Sequence, residues 1–339
     1  MISVGVLGAT GAVGQRYVQL LSSHPYFELT TLTASKHSAG KTYAQAVNWR
    51  LDSPFPDHIG EKRVVETDIS CLKDVDLVFS ALPAELAGDV EKACAKAGIG
   101  VSSNASTHRM LEHVPLVVPE VNGDHLGLID LQRDCDGYDG FIVTNPNCST
   151  IILTLSLTPL RHYQIHDLKV STMQAISGAG FEGVPGMGIL DNIIPYIGSE
   201  EEKMERETGK IMGTFDGATL TPAPFPVSAS CHRVPVIDGH TMAVWLDCDA
   251  SVEAAKEAFS SYKAPFSGLP TQPETSVLYH TGQDRPQPRL DRMRGGGMTV
   301  SVGRVREGLR YIAMGHNTIR GAAGASILNA ELLKKEGYL

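Results

Sequence analysis

The sequence runs to 339 residues, more than one hydrophobic core usually serves, so two joined domains are expected. Its formal net charge of −9 comes with scattered basic residues and no Lys or Arg run, which argues against nucleic acid or an anionic membrane surface as partner. No apolar run is long enough to span a bilayer and no charged-then-apolar leader opens the chain, so the cytoplasm is the expected location.

In chain order, residues 2–7 read as a short buried strand, residues 12–22 as a helix and residues 27–33 as a second strand. Residues 75–80 read as another strand, ending just before Leu82-Pro83. Residues 84–97 read as a helix, with Gly98 where a C-terminal cap glycine belongs. Residues 100–103 and 116–118 look like further strands. Strands alternating with helices imply parallel βαβ units, and hence a Rossmann-type doubly wound α/β domain. The second half reads differently. Residues 168–177 form a long strand candidate, residues 200–212 a charged helix, and residues 241–248 and 299–305 strands. Glu307-Gly308 turns the last of these back into residues 309–314, a hairpin typical of an antiparallel sheet. Residues 263–294, rich in Pro, Gly and Gln, read as a long surface excursion, and residues 322–335 as a closing helix. The expected division is a dinucleotide-binding domain over residues 1–147, completed by residues 318–339, and an α+β catalytic and dimerisation domain with a mainly antiparallel sheet over residues 148–317.

The first chemical motif is Gly8-Ala9-Thr10-Gly11-Ala12-Val13-Gly14, between the opening strand and its helix. Glycines there permit a tight turn and close approach of backbone to a pyrophosphate, which the helix N-terminus then receives. A glycine triplet alone is weak, but the strand–turn–helix context is the required one. At the end of the second strand an NAD enzyme usually carries Asp or Glu against the ribose 2′-hydroxyl. Thr33-Ala34-Ser35-Lys36-His37-Ser38-Ala39-Gly40-Lys41 offers hydroxyls and lysines instead, which suits the 2′-phosphate of NADP.

The cysteines are Cys71, Cys94, Cys135, Cys148, Cys231 and Cys248; none forms a CxxC pair, so zinc spacings are absent and reduced thiols are the better reading. Cys148 stands apart. Asn145-Pro146-Asn147-Cys148-Ser149-Thr150 leads into an apolar run, which places the thiol at a helix N-terminus where the dipole favours thiolate. Such a thiolate can attack an acyl or aldehyde carbon. A partner base is offered by Arg233-Val234-Pro235-Val236-Ile237-Asp238-Gly239-His240-Thr241, where a turn delivers His240 to the start of a strand. Spacing alone does not bring His240 to Cys148.

These segments resemble the aspartate-semialdehyde dehydrogenase family in its archaeal and fungal branch, together with Ser177-Gly178-Ala179-Gly180, Asp191-Asn192-Ile193-Ile194-Pro195-Tyr196-Ile197-Gly198 and Asn317-Thr318-Ile319-Arg320-Gly321. They run in family order across nearly the whole chain. The resemblance implies that Cys148 is the nucleophile and His240 the acid/base. It implies that Arg109, Asn147 and Lys203 serve substrate or phosphate, that Glu200 meets the substrate amino group, with Glu201 and Glu202 adjoining it, and that Arg233 grips the substrate carboxylate. It implies NADP contacts from Gly8, Thr10, Gly11, Ala12, Val13, Ser35, Lys36, Ser38, Ser80, Leu82, Ser177, Gly178 and Asn317. Met242 departs from the pattern, standing where a glutamate is expected.

The implied reaction is reversible, NADP-dependent reductive dephosphorylation of L-aspartyl 4-phosphate through a cysteine thioester, by a homodimer or homotetramer. Malonyl-coenzyme A reductase and N-acetyl-glutamyl-phosphate reductase use the same scaffold and are the nearest rivals. A short-chain reductase would carry Tyr-x-x-x-Lys, and no tyrosine here has Lys four residues on. A non-enzymatic NADP-binding regulator would need neither Cys148 nor the segment at residues 233–241.

Overall fold

The short apolar runs of the first half form strands of a single parallel sheet. β1 (Ile2–Leu7), β2 (Phe27–Ala34), β3 (Val64–Glu66), β4 (Leu77–Ser80), β5 (Gly100–Ser103) and β6 (Phe141–Thr144) lie in the order β3-β2-β1-β4-β5-β6, every neighbouring pair parallel. Both faces are covered, which is why Val4, Val6, Leu77, Val78, Phe79 and Val101 are all fully buried and the strands read as unbroken apolar runs. The order reverses between β1 and β4, so their carboxyl ends flank the switch point at which doubly wound sheets take ligands.

The computed structural model describes all 339 residues, which divide into two units. Met1–Val117, Asp124–Asn145 and Ala323–Leu339 make up the first; Val118–Gly123 and Pro146–Ala322 make up the second. The C-terminal helix Gly324–Lys335 is fastened within the first unit. Ser326 Oγ lies 2.7 Å from Ser102 Oγ on β5, and Glu331 Oε1 lies 2.8 Å from His24 Nε2.

The second unit is built on a mixed sheet. β7 (Ile165–Gln174) is its long strand, a ribbon of β8 (Thr214–Phe215) and β9 (Leu220–Thr221) stands apart, and β10 (Val227–Arg233), β11 (His240–Cys248), β12 (Val277–His280), β13 (Val300–Arg306) and β14 (Arg310–Gly315) complete the order β10-β7-β11-β14-β13-β12. The central pairs β7–β11, β11–β14 and β14–β13 are antiparallel and the two edge strands are parallel to their neighbours. The alternating burial of β11 marks a sheet with one covered face. Val118–Gly123 belongs here because Glu120 forms a wholly buried pair with Arg320, at 2.8 and 2.5 Å, and also accepts from Ser276 Oγ at 3.1 Å.

Four sequence readings need correction. Residues 116–118 are not a strand: Pro115 and Pro119 bracket them, only Leu116 bridges to Thr144, and Val118 caps the short helix Pro119–Asn122. β7 stops at Gln174, and Ser177 sits in the 3₁₀ turn Ile176–Ala179. Residues 263–294 are not a surface excursion throughout. They contribute edge strand β12 and the fully buried Asp291, which accepts from Arg285 Nε at 2.7 Å and Gln287 N at 2.8 Å. The final helix begins at Gly324 rather than two residues earlier, preceded by a wide π-type turn, Ile319–Ala323.

Candidate active site

Cys148 is the first residue of the helix Cys148–Leu157, whose remaining residues are all buried. Asn147 caps it: its Oδ1 accepts from Ser149 N at 2.9 Å and Thr150 N at 3.2 Å. That cap is itself held from the helix Glu200–Ile211, two of whose carboxylates, seven residues and about two turns apart, face the same way. Glu200 Oε1 accepts from Asn147 Nδ2 at 2.8 Å and Glu207 Oε2 accepts from Asn147 N at 2.7 Å. Of the three adjacent glutamates, Glu200 is the buried one; Glu201 accepts from Cys231 N and Glu202 points to solvent. Lys203 lies on the same helix, half-buried. Behind Cys148, Gly321 comes so close that a methyl there would stand 2.7 Å from the cysteine Cβ. The absence of a side chain at Gly321, within the turn Ile319–Ala323, permits that approach.

His240 reaches the sulfur: its Nε2 lies 3.2 Å from Cys148 Sγ. Gly239, at φ 102°, turns the chain into β11, and its N–H is held by Asn317 Oδ1 at 2.8 Å, while Asn317 Nδ2 donates to Ser177 Oγ at 2.8 Å. Ala175 then orients two side chains through its backbone. Its N–H donates to His240 Nδ1 at 3.0 Å, and its carbonyl accepts from Arg233 Nη1 at 2.7 Å. Gly178 sits over both: a Cβ there would be 2.9 Å from Arg233 Nη1 and 3.1 Å from His240 Cε1. Burial, reinforced by the positive charge of Arg233 and by His316, pulls the His240 pKa down to about 3. Burial also lowers that of Arg233, against the opposing pull of Cys148 and Glu200. A thiol on a helix N-terminus, a ring nitrogen on the sulfur and a buried guanidinium make a nucleophile with an adjacent site for an anionic group.

In the first unit the glycine loop has the shape a pyrophosphate needs. Gly8 lies at φ 78°, and a Cβ at Gly14 would stand 2.1 Å from the Gly8 carbonyl oxygen, so only glycine lets the helix Ala12–Leu21 pack this close. That helix has no acidic residue in its first turn and no side-chain cap at Gly11, which leaves its positive end to an anion. Thr10 and Val13 lie in the same turn. Past β2, Ser35 and Lys36 are exposed and Ser38 is half-buried. A carboxylate does stand nearby, delivered by the neighbouring strand: Glu66 ends β3 and lies 3.6 Å from Lys36 Nζ, both well exposed. Ser80 is wholly buried at the end of β4 and Leu82 half-buried. Arg109 is buried in this unit and donates to the Asn104 carbonyl at 2.6 Å. No group of three His, Cys, Asp or Glu is placed to hold a metal.

Two family models match the chain: "Semialdehyde dehydrogenase, NAD binding domain" over residues 3–129 and "Semialdehyde dehydrogenase, dimerisation domain" over residues 157–320. The aspartate-semialdehyde dehydrogenase of Archaeoglobus fulgidus is 55% identical over 98% of both chains. That of Methanothermobacter thermautotrophicus is 54% identical over 99% of both. The chain belongs to the aspartate-semialdehyde dehydrogenase family. A crystal structure of the Candida albicans aspartate-semialdehyde dehydrogenase with NADP superposes with a TM-score of 0.92, at 43% identity over the whole of both chains.

The second unit thus brings together Asn147, Cys148, Glu200, Arg233 and His240, all named from the sequence, and Asn317, which acts on the turn that carries His240. Met242, the departure from the family pattern, is fully buried on β11. Three contributors had gone unseen. Glu207 had a legible signal, being seven residues after Glu200 on one helix face. Gly321 had only its place in a family segment. Ala175 acts through backbone atoms, which leave no trace in residue type.

Proposed function

We propose that the protein is an NADP-dependent aspartate-semialdehyde dehydrogenase, reducing L-aspartyl 4-phosphate to L-aspartate 4-semialdehyde and phosphate, a step in the biosynthesis of lysine, threonine, methionine and isoleucine. The observation that carries this reading is Cys148 at a buried, capped helix N-terminus with His240 Nε2 at 3.2 Å and Arg233 held over the same glycine, Gly178. Cys148 attacks the acyl phosphate, a C–S bond forms, and the C–O bond to phosphate breaks. His240 then serves the oxygen of the bound acyl group while the thioester is reduced. Arg233 holds the substrate carboxylate and Glu200 its amino group, one for each charged end of a free amino acid. Arg109 and Lys203 are the proposed phosphate ligands, on the strength of the family resemblance.

The bound dinucleotide supplies the hydride. Gly8, Thr10, Gly11, Ala12 and Val13 would hold its pyrophosphate on the uncapped helix end, and Ser35, Lys36 and Ser38 its 2′-phosphate, with Lys36 exchanging an exposed and therefore weak pairing with Glu66. Ser80, Leu82, Ser177, Gly178 and Asn317 complete the proposed contacts. The dimerisation-domain match supports a homo-oligomer, which we take to be a homodimer or homotetramer working in the cytoplasm. Purified protein should oxidise aspartate semialdehyde with phosphate and NADP, and should not oxidise NADPH with malonyl-coenzyme A. Turnover with the coenzyme A ester alone would reassign the substrate.

A further inference from the structure

We propose that Glu91 is a positioning residue for the reaction: buried on the helix Ala84–Lys96, it holds both ends of the loop that presents Arg109, and thereby sets the affinity for phosphate. The inference rests on the reading of Arg109 as a phosphate ligand and deepens it. The carboxylate makes one contact at each end of the loop. Ser103 Oγ, where β5 ends, donates to Glu91 Oε1 at 2.7 Å. His108 Nε2, one residue before Arg109, lies 3.4 Å from Glu91 Oε2. One side chain therefore fixes the span of residues 103–108, and with it the place from which Arg109 departs.

The same helix face braces the middle of the loop. Ala84, Gly88 and Glu91 follow one another at spacings of four and three, which aligns them along one side of the helix. Thr107 Oγ1 donates to the Ala84 carbonyl at 2.9 Å. Gly88 passes so close to the loop that an added Cβ would stand 3.3 Å from Thr107 Cγ2. Asn104, next to Ser103, donates its N–H to the Ser80 carbonyl at 3.1 Å, and its own carbonyl accepts from Arg109 Nη2 at 2.6 Å. The guanidinium is thus tied back to the end of the loop that Glu91 holds through Ser103.

The surroundings agree. Glu91, Ser103 and His108 are all buried, so water cannot replace a contact that is lost. A carboxylate out of water is costly unless it is hydrogen-bonded and paired. Burial lifts the Glu91 pKa, opposed by Ser80 and Ser103 and by the charge of Arg109. Ser103 and Arg109 both belong to the one loop, so the contacts that make the buried carboxylate tolerable are those that fix the loop.

The test is a double-mutant cycle on phosphate affinity, read as NADPH formation from aspartate semialdehyde, NADP and inorganic phosphate. Glu91→Ala should raise the KM for phosphate roughly 10–10²-fold, the cost of a hydrogen bond to a charged group, while kcat and the KM for NADP stay within about 2-fold. Glu91→Gln, which can still accept from Ser103, should recover most of the loss. In an Arg109→Ala background, Glu91→Ala should add less than about 2-fold, because the group it positions is gone. Ser103→Ala cuts the same contact more gently and should raise the phosphate KM in a protein of near wild-type stability, which keeps the test open if Glu91→Ala folds poorly. Three results would overturn the proposal: an unchanged phosphate KM in Ser103→Ala, a KM for NADP that rises in step with that for phosphate, or equal effects of Glu91→Ala with and without Arg109. Arg109→Ala alone separates the two readings. An unchanged phosphate KM there removes Arg109 as a phosphate ligand and this inference with it; a raised one, with no effect of the Glu91 and Ser103 variants, removes only this inference.

Discussion

Gly178→Ala is the sharpest probe of the site's packing. The added methyl would stand 2.9 Å from Arg233 Nη1, 3.1 Å from His240 Cε1 and 3.2 Å from its Nε2. The tip of an arginine can usually move aside, but this one is buried and anchored on the Ala175 carbonyl at 2.7 Å. His240 is anchored on the neighbouring Ala175 N–H. Relief of the clash therefore costs one of these bonds, about 1.5–3 kcal/mol for a hydrogen bond to a charged group. At 1.36 kcal/mol per factor of ten, kcat/KM should fall roughly 10–10²-fold. If Arg233 yields, the loss appears chiefly in KM for the acyl substrate; if His240 yields, it appears in kcat. Steady-state NADPH oxidation against acyl phosphate reads both, and urea unfolding should show little change, because the methyl lies at the site and not in the core. Unchanged kcat/KM in a variant of unchanged stability would mean that Gly178 does not confine these side chains.

Other substitutions separate the parts. Arg233→Lys keeps the charge and loses the planar fork, so KM should rise well before kcat falls; an equal fall in both would argue that Arg233 acts on the chemical step. Glu207→Ala strips a carboxylate from the Asn147 N–H and should cost roughly 1.5–3 kcal/mol in urea unfolding while slowing acylation of Cys148. Partial rescue by Glu207→Gln is expected, and wild-type acylation in the alanine variant would rule out a positioning role. Stability should also depend on pH through His240, whose folded-state pKa of about 3 lies below its ordinary 6.5. The unfolded chain takes up the proton first as pH drops, so this contribution is whole above about 6.5 and is lost progressively towards pH 3. The urea midpoint of His240→Gln should fall less steeply over that window than that of the wild type; parallel curves would contradict the buried neutral ring.

Much of this was legible in the sequence because local chemistry fixed it. The strand–glycine loop–helix at residues 2–21 is dictated by turn geometry and an amphipathic helix, and Cys148 by a capping asparagine ahead of an apolar run. What failed depended on distant partners. Val227–Arg233 is strand only because β7 lies beside it; its own Ser-Ala-Ser-Cys run has little strand preference. β12 hid in a Pro- and Gly-rich stretch for the same reason. Glu66 reached Lys36 by strand pairing between segments about thirty residues apart, so the loop read as free of carboxylates. The meeting of Cys148 with His240 comes from a helix end packing against the first residue of β11, which spacing along the chain does not encode.

The proposed reaction passes through a covalent bond to Cys148. Mass spectrometry of protein mixed with L-aspartyl 4-phosphate in the absence of dinucleotide tests it directly. The expected result is one aspartyl adduct, mapped to the peptide that carries Cys148, absent from Cys148→Ala and discharged when NADPH is added. An adduct on Cys71, Cys94, Cys135, Cys231 or Cys248 instead, or full turnover by Cys148→Ala, would contradict it.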